Sequence, residues 1–324
     1  MLLTGLPDVS VIIPTRNRVD QLTACLASVL AQTHRSFEVI VVDDGSNDAT
    51  QDLNVSAIDP RIIMVRHETT LGASQARNQG IDLARAPLVA FLDADDLWLE
   101  HKLERQLEVV ATRSSRREFI LTGECFVDGH GPRHVHNRRG PKPGEDLGEY
   151  LLAHGKTLQT STIMLPTALA RRVRFSVGLK RCQDCDFVLR LVRAGGDLIY
   201  LEEPLAVYQV GPDPERLSNR PGMMRSMLEW FYTADDLVTV ENMQRAFSMS
   251  AAGRALVIDL AGVCLGFVWL ARCRPSGIPM MVGLFLRHLI VTGSFWLKIR
   301  SAWSHVRAKW TGEGLRPLPQ VLKP

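Results

Sequence analysis

The chain has 324 residues, 46% of them hydrophobic and 23% charged, with a formal net charge of +3. That much apolar side chain supports one large or two modest folded domains and excludes a disordered or low-complexity chain. The net charge says little until it is split, because residues 272–324 are basic and the rest of the chain is neutral to acidic.

The first residues, Met1 to Asp8, hold no basic run and too short an apolar run for a signal peptide. Val9 to Pro14 is a β-rich run read as a first buried strand, and Thr15 to Arg18 as the loop after it. Leu22, Leu26, Val29 and Leu30 mark a helical face within 19–32. Phe37 to Val42 is nearly all apolar, as in a parallel strand covered on both sides. It runs into the turn Asp43 to Asp48, where Ser46 or Asp48 suits a helix cap. A third strand is expected at Arg61 to Val65, a helix at Gly72 to Ala86 and a fourth strand at Leu88 to Leu92. Next come a helix at Leu97 to Thr112 and a fifth strand at Glu118 to Gly123. Alternation of this kind implies an α/β domain with a mostly parallel sheet, whose ligands bind beyond the carboxyl ends of the strands.

Asp128 to Gly144 is rich in Gly, Pro, His and Arg and reads as a long polar loop, with His130, His134 and His136 on its surface. Gln159 to Pro166 reads as a strand, polar then apolar, and Asp184 to Ala194 as a helix closed by Gly195-Gly196. Leu198 to Leu201 and Leu205 to Val210 are short strands. Cys182 and Cys185 have redox or zinc-ligand spacing, but no second pair completes a four-ligand site, so reduced thiols in a reducing compartment are expected. After Pro221 the composition turns helical, which divides the chain into 1–220 and 221–324. Residues 272–324 carry nine Lys/Arg against Glu313 alone, interleaved with the apolar stretches Ala255 to Ala271 and Ile278 to Leu297. Such a tail suggests helices lying at an anionic membrane surface, with no nucleic acid. A buried helical hairpin and two full spans are the other readings of the same stretches.

The chemistry concentrates in the two acidic clusters. Asp93, Asp95 and Asp96 follow a buried strand, where three carboxylates are costly unless something positive faces them. A divalent cation carried by a diphosphate would do so, and a helix-capping turn is the alternative.

Four segments in order resemble the family 2 glycosyltransferases of GT-A fold. They are Val11-Ile12-Ile13-Pro14-Thr15-Arg16-Asn17-Arg18, Val39-Ile40-Val41-Val42-Asp43-Asp44-Gly45-Ser46, Ala76-Arg77-Asn78-Gln79-Gly80-Ile81 and Phe91-Leu92-Asp93-Ala94-Asp95-Asp96. The resemblance covers roughly residues 9 to 210 and implies a GT-A (Rossmann-like) nucleotide-sugar domain followed by a helical region. It assigns Pro14, Thr15 and Arg16 to the nucleotide loop, Asp43 to the nucleobase and Asp44 to the same pocket. It places Asp93 near ribose and metal, and Asp95 on an Mn²⁺ or Mg²⁺ ion bridging the phosphates. Arg77 faces the diphosphate or pairs with these acids. Gln183-Asp184 resembles the family's Glu-Asp motif, with Asp184 as general base, Asp186 as its rival and a helix cap as the plain alternative. The family's later Tyr-Arg-x-His is Tyr208-Gln209-Val210-Gly211 here, without the imidazole. The implied activity is inverting, metal-dependent sugar transfer. The donor is a nucleotide sugar, UDP-linked by family habit. The acceptor is a lipid-linked glycan or polysaccharide at the cytoplasmic membrane face. A non-catalytic nucleotide-sugar-binding relative is the alternative that Gln183 and Gly211 favour.

Overall fold

The structure is a computed structural model that describes residues 5–112, 119–123, 125–129, 131–136, 139–142, 144–153, 158–209, 223–234, 236–250 and 281–282. Its core is a seven-stranded sheet in the order β10-β6-β9-β4-β1-β2-β3. The central strands are β1 (Val9–Thr15), β2 (Phe37–Asp43), β3 (Ile62–Arg66) and β4 (Leu88–Phe91), all parallel. Every residue of β1, β2 and β4 is buried, because both faces of the sheet are covered, and the continuous apolar runs follow from that. Two polar exceptions satisfy each other: Ser10 Oγ donates to Glu38 Oε1 at 2.6 Å, and Glu38 also accepts from the Arg85 N–H and side chain. Beyond this parallel block, β9 (Met164–Pro166) lies antiparallel to both β4 and β6 (Phe119–Gly123), and β10 (Asp197–Leu201) closes the edge parallel to β6.

The helices supply the cover. Helix α1 (Val19–Leu30) buries Leu22, Cys25, Leu26 and Val29, one stripe at i, i+3, i+4 and i+7. Each such side chain contributes roughly 1.5–3 kcal/mol on full burial. A one-turn helix, α2 (Val55–Ile58), precedes β3. Helix α3 (Ala73–Leu83) starts after Gly72, whose φ of 97° favours glycine, and approaches β1 closely at Gly80. A Cβ on Gly80 would sit 2.4 Å from Ile12 Cγ2.

Several expectations are corrected. Leu97 does not open a helix: Leu97–Trp98 is a short strand, β5, and the helix α4 is Lys102–Thr112. Asp128 to Gly144 is not one long loop, since β7 (Cys125–Gly129) runs into it and pairs antiparallel with β8 (Gly131–His136). Backbone hydrogen bonds, which any composition can make, hold them together. With β11 (Ala206–Gln209) they form a second sheet, β5-β11-β7-β8. The strand expected from residue 159 begins only at β9, after a 3₁₀ turn at Thr160–Thr162. Helix α5 (Thr167–Val173) was not anticipated, and α6 (Gln183–Arg193) follows it. Asp48 does cap a short 3₁₀ turn, accepting from Thr50 N at 3.0 Å.

The chain divides into two compact units, one of residues Met1–Leu217 with Asp236–Val238, the other of Ser218–Asp235 with Thr239–Pro324. The second contains α7 (Met223–Thr233) and α8 (Val240–Ser250), in which Trp230, Phe231 and Phe247 are buried. The apolar stretches at 255–271 and 278–297 lie outside the described residues except for Met281 and Val282. Among the described residues no helix is long and apolar enough to cross a membrane.

Candidate active site

The two acidic clusters lie at the carboxyl ends of β2 and β4, on either side of β1, and the loop after β1 ties them together. Asn17, in a left-handed conformation (φ 52°), donates its N–H to Ser46 Oγ at 2.8 Å and accepts from Asn47 N through its side chain. The next residue reaches the other way, Arg18 Nη1 lying 2.5 Å from Asp95 Oδ2. Three strand ends thus converge on one crevice, as the parallel topology requires.

On the β2 side, Asp43 is buried and its Oδ1 accepts from the N–H and hydroxyl of Ser46. Its other oxygen, Oδ2, is buried with no hydrogen-bond partner, and Arg66 Nε stands 3.7 Å away. Thr15, which pairs in register with Asp43, likewise has a buried hydroxyl with no partner. Two orphaned oxygens on adjacent strand ends are uncommon in a folded protein and suit a ligand that donates to them. Pro14 is buried within β1 and Arg16 is exposed beside it. Asp44, the residue after Asp43, is also buried. Its oxygens accept from Leu71 N and Gly72 N, both at 2.8 Å, and face His67 Nδ1 at 2.8 Å. It therefore braces the turn into α3.

Helix α3 carries the link to the start of α6, and each residue of its motif has a separate task. Arg77 Nη2 holds Asp93 Oδ1 at 2.5 Å, Nη1 donates to Gln183 Oε1 at 2.8 Å, and the guanidinium lies over the Phe175 ring. Asn78 exchanges two hydrogen bonds with the backbone of Phe175. Gln79 Oε1 meets His67 Nε2 at 2.5 Å. Both ends of the 175–183 loop are thereby pinned to one helix. Phe175 stacks on Phe187 of α6 at 3.9 Å, and both rings meet Phe91 edge-on.

That packing positions Asp184. The N-cap of α6 is Cys182, so Asp184 lies inside the first turn, where the helix dipole favours its charge, and is not a capping residue. Its Oδ1 accepts from Cys185 N at 2.9 Å. Burial pushes its carboxyl above the usual range, the Cys185 N–H and the Arg77 charge pull it back, and the charge of Asp93 pushes it up again. The rival Asp186 is tied up, accepting from Ser176 Oγ at 2.8 Å and from Arg190 Nε and Nη2.

Asp93 and Asp95 keep side-chain exposures of 31% and 21%. Asp96 is buried, accepting from Ser161 Oγ at 2.6 Å and from Gln209 N at 3.2 Å. Burial first, and the charges of Asp95 and Asp93 next, raise it well above the ordinary carboxylate range. Among the described residues no three or more His, Cys, Asp or Glu gather to hold a metal ion. Two half-open carboxylates beside a crevice do fit a hard cation that arrives with phosphate oxygens of its own. Arg18 already holds a positive charge against Asp95, so the position accommodates a cation.

Sequence reasoning missed Arg18, Ser161 and Gln209 as members of the site. Arg18 ends the segment Val11 to Arg18, and the polar start of 159–166 is the only signal for Ser161.

The profile of the family described as "Glycosyl transferase family 2" matches residues 10–157. The amylovoran biosynthesis glycosyltransferase AmsB of Erwinia amylovora is 33% identical over 208 residues, covering 62% of this chain and 69% of that protein. The putative teichuronic acid biosynthesis glycosyltransferase TuaG of Bacillus subtilis (strain 168) is 44% identical over 127 residues, 39% of this chain and half of that protein's length. Among solved structures, S. aureus TarS 1–349 in complex with UDP-GlcNAc superposes with a TM-score of 0.63 at 18% identity, covering 93% of this chain and 92% of that one. At that identity the likeness is one of fold.

Proposed function

The chain belongs to glycosyl transferase family 2 and is a glycosyltransferase of GT-A fold. On that premise we propose that it transfers a sugar from a UDP-linked donor, with inversion, to a lipid-linked or polysaccharide acceptor in the assembly of an envelope or extracellular glycan. The relatives named for amylovoran and teichuronic acid synthesis support that acceptor class. The observation that carries the reading is the chain Asp93–Arg77–Gln183, which sets the donor-side acid next to the residue preceding Asp184.

The roles follow from the geometry. The unpartnered Oδ2 of Asp43 offers one acceptor to the imide N–H of a uracil ring, with the Thr15 hydroxyl on the adjoining strand. Pro14 and Arg16 complete this wall of the nucleotide site. Asp184, held by burial above the usual carboxylate range, takes the proton of the acceptor hydroxyl as that oxygen attacks the anomeric carbon opposite the departing diphosphate. Asp95, with Asp93 beside it, would hold Mn²⁺ or Mg²⁺, which when bound offsets charge developing on the leaving group. Arg77 keeps Asp93 and the start of α6 in register while this happens. The basic residues of 272–324 support peripheral attachment to the cytoplasmic face of the membrane.

The test is a thermal-shift screen of nucleotide sugars with and without Mn²⁺, followed by transfer assays with the ligands found. A ligand that binds the native state raises apparent stability by mass action. The expected hits are UDP sugars, and Asp43→Asn removes the shift. Equal shifts from GDP and UDP sugars in both proteins would overturn the assignment of the base pocket. For the tail, the full chain should sediment with anionic vesicles at low salt and not with neutral ones.

A further inference from the structure

The carboxylates of Asp93 and Asp95 are each met by an arginine. Arg77 is fixed on several sides, by Asp93, Gln183 and the Phe175 ring, with its side chain only 6% exposed. Arg18 is fixed at its backbone: its N–H donates to Thr50 Oγ1 at 3.1 Å, and the preceding Asn17 is clamped between Ser46 and Asn47. Its guanidinium reaches out to Asp95 Oδ2 at the crevice, with 14% exposure. The loop that bears it is the same one that carries Thr15 and Arg16.

We infer that Arg18 is a placeholder counter-ion that occupies the metal-binding oxygen of Asp95 until a diphosphate arrives. The inference rests on the reading of Asp95 as the metal ligand. A cation entering alone must displace the guanidinium from a charge-assisted hydrogen bond and leave it facing the cation, two like charges at one carboxylate. A cation that enters with a nucleoside diphosphate brings two or more phosphate oxygens for the guanidinium, whose planar fork suits phosphate. Arg18 then exchanges a carboxylate for a phosphate, and Asp95 exchanges an arginine for the metal. The protein therefore binds metal and donor as a unit, and the bare acidic loop has low affinity for Mn²⁺ although it is rich in carboxylates.

The experiment titrates Mn²⁺ into the full chain without nucleotide and reads free Mn²⁺ by electron paramagnetic resonance. Arg18→Gln is expected to bind Mn²⁺ about tenfold more tightly than wild type, as expected for removal of one charged competitor. Arg18→Lys, which keeps the charge on a more flexible stem, falls between the two and carries the test if the glutamine variant does not fold. Asp95→Asn added to Arg18→Gln, where that carboxylate is released, is expected to lose the gained binding, about tenfold. Weaker binding in Asp95→Asn with no gain in either Arg18 variant overturns the placeholder role and leaves the metal reading standing. Tighter Mn²⁺ binding in Arg18→Gln that survives unchanged when Asp95→Asn is added overturns the metal reading itself, and the placeholder role with it.

Discussion

Arg77 donates to Gln183 Oε1 at 2.8 Å across 106 positions of chain, and Gln183 Nε2 in turn donates to the carbonyl of Leu179. A neutral amide thus stands where the family motif has a carboxylate, directly before the proposed base. The raised carboxyl of Asp184 must be ionised to accept a proton, so turnover falls as pH drops through its pKa, above the ordinary value of about 3.9. Asp184→Asn should lower kcat by roughly 10²–10⁴-fold with donor binding retained. Gln183→Glu adds a like charge next to Asp184 and should move the acid limb of the kcat/KM profile to higher pH. An unmoved limb would argue that Asp184 does not titrate in that step.

Lys102 is buried, donates to Gln106 Oε1 at 2.5 Å and lies 4.2 Å over the Trp98 ring. Burial lowers its pKa to about 7. Between pH 7 and the unfolded value of about 10.4 the unfolded chain binds a proton that the folded one does not, so this residue makes stability rise with pH. Urea unfolding of wild type and Lys102→Met at pH 7 and pH 9 should show wild type gaining relative to the variant at the higher pH. Parallel curves would mean that Lys102 is not desolvated in solution.

Much of this arrangement was legible in advance. Val9 to Pro14 and Phe37 to Val42 advertise strands buried on both faces, and strand–helix alternation then forces the loops that follow them to one end of the sheet. The corrections arose where composition is silent. Leu97 and Trp98 fit a helical period as well as a strand, and their pairing with β11 is set by residues more than 100 positions away. The hairpin of β7 and β8 is made by backbone groups of a stretch that reads as a loop. Ion pairs such as Arg18 with Asp95 leave no local trace, because each partner is also a plausible solvent-exposed charge.

The close approach of α3 to β1 is open to a direct test. In Gly80→Ala the new methyl meets Ile12 Cγ2, in a side chain buried at the centre of the sheet, and should cost about 1–3 kcal/mol. Ile12→Ala alone should cost about 2–5 kcal/mol, and the double variant less than the sum of the two. Strict additivity by denaturant unfolding would show that α3 shifts to relieve the clash.

Cys25 lies on the buried stripe of α1, its Sγ 3.8 Å from the carbonyl oxygen of Asp93. Burial, and then the charges of Asp96, Asp93 and Asp95, push its thiol well above the usual range, so it is unreactive while α1 is seated. The thiol is therefore a clock built into the wall of the crevice. Its alkylation rate, followed on the Cys25 peptide by mass spectrometry, reports how often α1 lifts from the sheet. A molecule that bridges the loops after β1 and β4 should slow that clock in proportion to how tightly it binds, with no turnover needed, whereas one bound elsewhere should leave it running at the same pace.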